Sequence, residues 1–248
     1  MLASWIVATH FRPRLLRAAL ESIRDNTYPE GWTHEIIVAH HDNDPAAGVI
    51  AAELGAQAVP TGQQTGGGKR NTALRYATGD LVLVADDDDC QSPLRARAAI
   101  EAYGKGYSIS ELREFRYLHV ASGHVVRWCG RGSVSRAPVS VGTARNYRRG
   151  MLQRVGGWKP LPRMIEKDIQ CRIAARMPGK SSRACDLGGA ELAETTICLQ
   201  HDANIWDDRP TLSKGQEFYR GDYRLVGEGH WTEAAGFPRA VAARLGLT

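Results

Sequence analysis

The chain has 248 residues, 43% hydrophobic and 24% charged, which fits a globular protein and excludes a disordered or fibrous one. Its formal charge is only +5, but the excess is uneven. From Phe115 to Ile165 there are ten Lys/Arg and no Asp or Glu, whereas the remaining residues hold 22 basic against 27 acidic side chains.

Five scattered cysteines, without a C-x-x-C pair, argue against a disulfide framework or a zinc ribbon. The opening MLASWIVATHFRPR is too short in apolar residues for a signal peptide, and no run reaches the roughly 18 apolar residues of a membrane span. A reducing, cytoplasmic setting is expected (the host cytoplasm for a viral chain).

Taken in chain order, Ser4–Thr9 reads as a buried strand. Leu16, Leu20 and Ile23 then recur at helical spacing behind Pro13. Glu35–Ala39 is a second β-branched run, and Ala46–Leu54 a helix stopped by Gly55. A weak strand, Ala56–Val59, precedes a helix over Gly68–Thr78 and the continuous apolar run Leu81–Ala85. Uninterrupted runs suit strands covered on both faces, and the alternation predicts an α/β sheet with ligands beyond its carboxyl ends. Further on, His119–Trp128 reads as one antiparallel strand and Asn146–Val155 as a short basic segment. Ile165–Met177 reads as a helix and Thr195–Leu199 as a last strand. A single domain over 1–248 is expected, with halves 1–105 and 106–248.

Asp86, Asp87, Asp88 and Asp89 follow the apolar run directly. Adjacent carboxylates repel one another, and a hard cation such as Mg²⁺ or Mn²⁺ relieves that repulsion; a solvated acidic turn is the plainer alternative. VADDDDCQSP resembles the D-x-D loop of GT-A glycosyltransferases, especially the large family-two group. GGGKRNTALRYATGD is similar to that group's approach to the loop, IVATHFRP to its first strand and nucleotide loop, and NYRRGMLQRVGGW to the segment ahead of its catalytic acid. The resemblance runs over residues 4–94 and 145–206.

That resemblance implies a GT-A (nucleotide-diphospho-sugar transferase) fold: α/β, with a mixed, mostly parallel sheet flanked by helices. It implies a nucleotide-sugar donor, a UDP-sugar before others, held on Mn²⁺ or Mg²⁺, and an inverting transfer to an acceptor hydroxyl. Asp86 and Asp88 match the metal carboxylates, with Asp87 or Asp89 as substitutes in register, and His201 is placed like a further ligand. Thr9, His40, Asp42, Lys69, Arg70, Asn71, Asp86 and Asp87 are expected around the donor. HHDND departs from the family's Asp-Asp after the second strand, which leaves the register of His40 and Asp42 open. The base that takes the acceptor proton is Glu166 or Asp168, with Asp168 preferred for its shorter side chain. Arg148, Arg149, Gly157 and Trp158 are expected at the acceptor.

The GQQTGGGK segment has five residues between Gly62 and Gly68, and Arg70 stands where a Walker motif needs a hydroxyl, so an ATPase is rejected. The acid-free stretch interleaves arginines with Trp128, Tyr147 and Trp158, a composition suited to a polyanionic acceptor. Hydroxymethylated pyrimidine in DNA is one such candidate; glycans, lipids and small molecules are others. A sugar-phosphate nucleotidyltransferase, a metal-dependent nuclease and a non-catalytic binding module remain as other classes.

Overall fold

The computed structural model describes residues 1–111, 114–130, 145–161, 165–176, 184–186, 196–200, 214, 216–220, 223–233 and 237–247. The first half alternates strand and helix: β1 (Leu2–Ala8), α1 (Pro13–Arg24), β2 (Thr33–His41), α2 (Pro45–Glu53), β3 (Gln57–Thr61), α3 (Gly66–Tyr76) and β4 (Leu81–Asp86). There follow β5 (Asp89–Gln91), α4 (Arg95–Gly104), β6 (Ile109–Glu111), β7 (Glu114–His119), β8 (His124–Gly130), β9 (Asn146–Arg148) and α5 (Arg149–Val155). Then come α6 (Ile165–Arg176), β10 (Ala184–Asp186), β11 (Thr196–Gln200), β12 (Glu217–Arg220), β13 (Tyr223–His230) and α7 (Phe237–Arg244).

Seven strands form one sheet in the order β10-β6-β9-β4-β1-β2-β3. β1 to β4 pair in parallel, while β9 runs antiparallel between β4 and β6. Successive residues of β1 and β4 point to opposite faces, and each face is covered. Trp5, Val7, Leu83 and Ala85 pack under α1, α2 and α4, whereas Ile6, Val82 and Val84 pack with α3, α5 and α6. This double covering is why β4 is apolar without a break up to Asp86.

A second sheet, β12-β13-β8-β7-β11-β5, packs Cys90, Leu118, Val125, Ile197 and Leu199 against Ala18 of α1 and Val241, Ala242 and Leu245 at α7. The expected single strand over His119–Trp128 is instead the hairpin β7–β8. Gly123, with φ +70, supplies the turn, and Gly123 N donates to His119 O at 2.7 Å. Strands from both sides of residue 105 enter each sheet, so that boundary does not divide the two sheets. Among the described residues, no helix is long and apolar enough to cross a membrane.

Candidate active site

The acidic run is the crossing between the two sheets. Asp86 ends β4 in the first sheet, Asp89 begins β5 in the second, and the turn occupies only Asp87 and Asp88. A change of sheet within two residues sends the four carboxylates in different directions. Asp86, Asp88 and Asp89 each bring one carboxylate oxygen within 4.8 Å of the others. An all-carboxylate, hard-oxygen donor set of this size fits Mg²⁺ or Mn²⁺. Asp89, the substitute in the sequence register, is thus part of the cluster.

Asp87 turns inward instead. Its buried carboxylate accepts from Thr9 Oγ1 at 2.7 Å, from the His10 backbone N at 3.2 Å and from Arg12 Nη1 at 3.1 Å. Burial, and then the Asp88 carboxylate, raise its pKa; Arg12 and the Thr9 hydroxyl only partly oppose this. Thr9 and Asp87 are therefore spent on each other and lock the loop after β1 to the end of β4. Arg12 also reaches Asp88 at 2.9 Å, so one guanidinium bridges two of the four carboxylates. Sequence reasoning passed over Arg12, although an arginine just before a helix-starting proline was a visible signal.

The loop after β1 is held from the other side by Asp44, which caps α2 through Ala47 N and accepts from Phe11 N at 2.9 Å. Phe11 is the one described non-glycine residue with positive φ (+54), and it is 52% exposed. Its ring lies 4.9 Å from His10 and 5.7 Å from His41. These three rings form a small aromatic platform beside the carboxylates. His40 is buried, its Nδ1 2.9 Å from His41 O, whereas Asp42 is exposed.

Thr65 caps α3 through Gly68 N, which starts the helix two residues before the expected position. Lys69 is buried in its first turn and donates to Thr9 O at 2.6 Å, with Nζ 3.1 Å from His10 Nδ1. Burial lowers the Lys69 pKa, opposed by Asp87 and Asp44. Burial, and then Lys69, also lower the His10 pKa. Arg70 is buried and pairs with Asp86 at 2.5 Å. Asn71 faces elsewhere. It donates to Trp158 O at 2.5 Å and accepts from Trp158 N at 2.8 Å, so it staples α3 to the Gly156–Trp158 turn. Gly157 has φ +66, and a Cβ there would collide with the Asn71 side chain.

Trp158 is 1% exposed, packed edge-on to Tyr147 at 5.8 Å, so its ring is core and offers no stacking face to an acceptor. Arg148 donates to the carbonyls of Tyr103 and Tyr107, and Arg149 to that of Gly79. Arg145 is buried against Glu111, Arg127 lies 3.4 Å from Glu228, and Lys159 pairs with Asp168 at 2.9 Å. The segment that contains no acid of its own is thus largely paired with acids and carbonyls from elsewhere in the chain. Arg131, Arg136 and Arg163 lie outside the described residues.

Asp168 sits in the first turn of α6 and pairs with Arg172 at 2.7 Å as well as with Lys159. Burial pushes its carboxyl up, but the hydrogen bonds from Lys159 and Arg172 outweigh this and hold it below the usual range. Glu166 lies in the same helix, its side chain outside those described. His201 lies outside the described residues, immediately after β11. That strand pairs with β5 (Cys198 opposite Asp89), and Leu199 N donates to Asp88 O at 2.8 Å.

The model of glycosyl transferase family 2 matches residues 4–113. No curated protein sequence matches the chain. Among solved structures, S. aureus TarS 1–349, in complex with UDP-GlcNAc, superposes with TM-score 0.61 and 15% identity, over 85% of this chain and 62% of that one. The mannosyltransferase PcManGT from Pyrobaculum calidifontis, in complex with GDP-Man and Mn²⁺, gives 0.57 and 21%, over 80% and 56%. Glucosyl-3-phosphoglycerate synthase from Mycobacterium tuberculosis, with Mn²⁺, UDP and phosphoglyceric acid, gives 0.54 and 16%, over 75% and 68%.

At such identities the likeness is one of fold, and the chain spans less than two thirds of TarS and of the mannosyltransferase. The strand order and these superpositions show that the chain has the GT-A fold. Residues 4–113 match the family-two model, which takes in the IVATHFRP, GGGKRNTALRYATGD and VADDDDCQSP motifs, whereas NYRRGMLQRVGGW lies beyond the matched residues.

Proposed function

We propose that the chain is a metal-dependent glycosyltransferase that moves a sugar from a nucleotide-sugar to an acceptor hydroxyl. The observation that carries this reading is the convergence of Asp86, Asp88 and Asp89 at the carboxyl end of β4, beside the loop that Asp87 locks in place. A divalent cation held there supplies charge that stabilises the departing diphosphate.

This chain's own residues do the rest. Arg12 and Arg70 keep the unliganded carboxylates from repelling one another. The platform of His10, Phe11 and His41 suits the nucleobase, with Asp42 exposed at its margin. Lys69, Thr9, Asp87 and Asn71 act as positioning residues rather than as donor ligands. In the inverting reaction the acceptor oxygen bonds to the anomeric carbon, the bond from that carbon to the diphosphate oxygen breaks, and the acceptor proton passes to Asp168 or Glu166. His201, next in the sequence after β11, would serve as a further ligand to the cation. The domain is a single one and works in a reducing cytoplasm.

The structures of TarS and of the mannosyltransferase hold UDP- and GDP-sugars respectively, so the donor panel must include both bases. A polyanionic acceptor such as hydroxymethylated DNA would draw on Arg154, which is exposed, and on arginines outside the described residues, since most of the described ones are internally paired.

The test is a thermal-shift screen of UDP-, GDP-, dTDP- and CDP-sugars with and without Mn²⁺, followed by assay of donor hydrolysis. Ligands that bind only the native state raise its melting temperature. One donor class should stabilise the protein in the presence of Mn²⁺ and be hydrolysed slowly. Cleavage of plasmid DNA, or pyrophosphate release from a nucleoside triphosphate and a sugar phosphate, with no response to any nucleotide-sugar, would overturn the reading.

A further inference from the structure

The opposite end of β4 carries a second, separate site. A cavity of about 340 Å³ opens between the C-terminal end of α4, the start of β6 and the first turns of α5, with Asp80, Tyr103, Ser108, Arg148, Gly150 and Arg154 on its walls. Asp80 precedes β4 and Asp86 ends it, so the cavity and the acidic crossing lie about 20 Å apart along the strand. A donor bound at one end does not reach the other.

The polar groups around this cavity are positioned but unspent. Arg148 is held rigidly: Nε donates to Tyr107 O at 3.0 Å, one Nη to Tyr103 O at 2.6 Å, and the guanidinium lies 3.7 Å from the centre of the Tyr103 ring. Its other Nη has no partner among the described residues. Ser108 is 8% exposed, yet its hydroxyl engages no described residue. Arg154 and Asp80 are exposed on the rim, and neither is ion-paired with a described side chain. A hydroxyl and a fixed guanidinium that line an open cavity, with positions no described residue takes up, offer polar groups to a ligand.

We infer that this cavity binds a small phosphorylated polyol, such as a sugar phosphate. The exposed Arg154 guanidinium provides a fork for a phosphate, and the remaining Nη of Arg148 a further charged donor. The Asp80 carboxylate repels an anion but accepts from hydroxyls, and the Ser108 hydroxyl can do either. The ligand must therefore be anionic at one end and hydroxylated at the other. The volume lies at the small end of the roughly 300–1,000 Å³ usual for ligand pockets, which suits a monosaccharide phosphate. A nucleic-acid backbone presents phosphates alone and would meet Asp80 unfavourably. This inference does not depend on the donor chemistry proposed above.

The test is calorimetric titration of the full chain in EDTA with glucose 6-phosphate, inorganic phosphate and a single-stranded oligonucleotide. Glucose 6-phosphate should bind more tightly than inorganic phosphate. Arg154→Gln should weaken it at least tenfold. Gly150→Leu should abolish binding by filling the mouth: a Cβ at Gly150 meets no atom within 4 Å, and leucine favours the helix, so this variant should fold normally. Asp88→Asn should bind the sugar phosphate as the wild type does.

Absence of binding by both phosphates would overturn the inference, as would undiminished binding in Gly150→Leu with an unchanged melting temperature. Oligonucleotide binding that is lost in Gly150→Leu while the sugar phosphate fails to bind would assign the cavity to a nucleic acid instead.

Discussion

The two ends of β4 put the same kinds of charge to different use. At the carboxyl end four carboxylates are crowded into one crossing, with Arg12 against Asp87 and Asp88 and Arg70 against Asp86, and three of the four converge in an arrangement suited to a cation. At the amino end two arginines are tied to carbonyls, Arg148 to Tyr103 and Tyr107 and Arg149 to Gly79, while Arg154 is exposed. Net charge in a segment therefore says little about what the segment binds. What decides is whether the partners of each charge come from the chain itself, and Glu111, Asp168 and Glu228 supply them from outside or at the margin of the acid-free stretch.

The sharpest way to break this contrast is to remove a charge of each kind. Arg95 is fully buried between the sheets, donating to Val84 O at 2.7 Å, to Asn146 Oδ1 at 3.1 Å and to Gln91 Oε1. Arg95→Leu orphans all three acceptors and should cost about 3–5 kcal/mol of stability in a denaturant titration. Asp88→Asn is expected to behave oppositely: transfer falls by about a hundredfold or more while the melting temperature hardly moves, because the lost charge served the cation and not the fold. Parallel loss of stability and activity in Asp88→Asn would erase the distinction.

Gly157→Ala should cost about 2 kcal/mol, since it strains a backbone with φ +66 and displaces Asn71 from the Trp158 backbone. Circular dichroism melts measure this, and Asn71→Leu should destabilise similarly with no selective effect on donor affinity.

A smaller effect concerns pH. The folded pKa of Asp168 is depressed, so the stabilisation from Lys159 and Arg172 is fully present above about pH 4 and is lost as pH falls through the folded value. If Asp168 is the base, Lys159→Ala should move the acidic limb of kcat/KM to higher pH. If Glu166 serves instead, the limb stays in place. The smallest expected effect is Arg17→Ala, which breaks an exposed pair with Glu53 and should leave the denaturation midpoint essentially unchanged.

Much of the first half was legible in the sequence because its signals are local. Continuous apolar runs mark β1, β2 and β4, and Pro13 marks the start of α1, whereas the Thr65 cap starts α3 two residues before the expected Gly68. The acidic run was legible as a carboxylate cluster at the end of β4 for the same reason.

What escaped depends on contacts distant in sequence. β5 is three residues long and contains Asp89, so it carries no strand periodicity; only its pairing with β11 makes it a strand. Asn71 reads as a donor ligand when seen beside Lys69 and Arg70, but its partner lies 87 residues away. Trp158 reads as a stacking surface until its burial against Tyr147 is known. The hairpin β7–β8 was taken as one strand because a single glycine, Gly123, makes the turn inside an otherwise alternating run.

The central claim is that Asp86, Asp88 and Asp89 hold a divalent cation for a nucleotide diphosphate. Electron paramagnetic resonance of Mn²⁺ tests it directly, since protein-bound Mn²⁺ loses the sharp six-line signal of the free ion. With UDP or GDP present, the wild-type protein should remove one equivalent of the free-ion signal, and Asp88→Asn should restore most of it at the same concentrations. An unchanged Mn²⁺ signal with every nucleotide diphosphate, or equal binding by wild type and Asp88→Asn, would contradict the assignment.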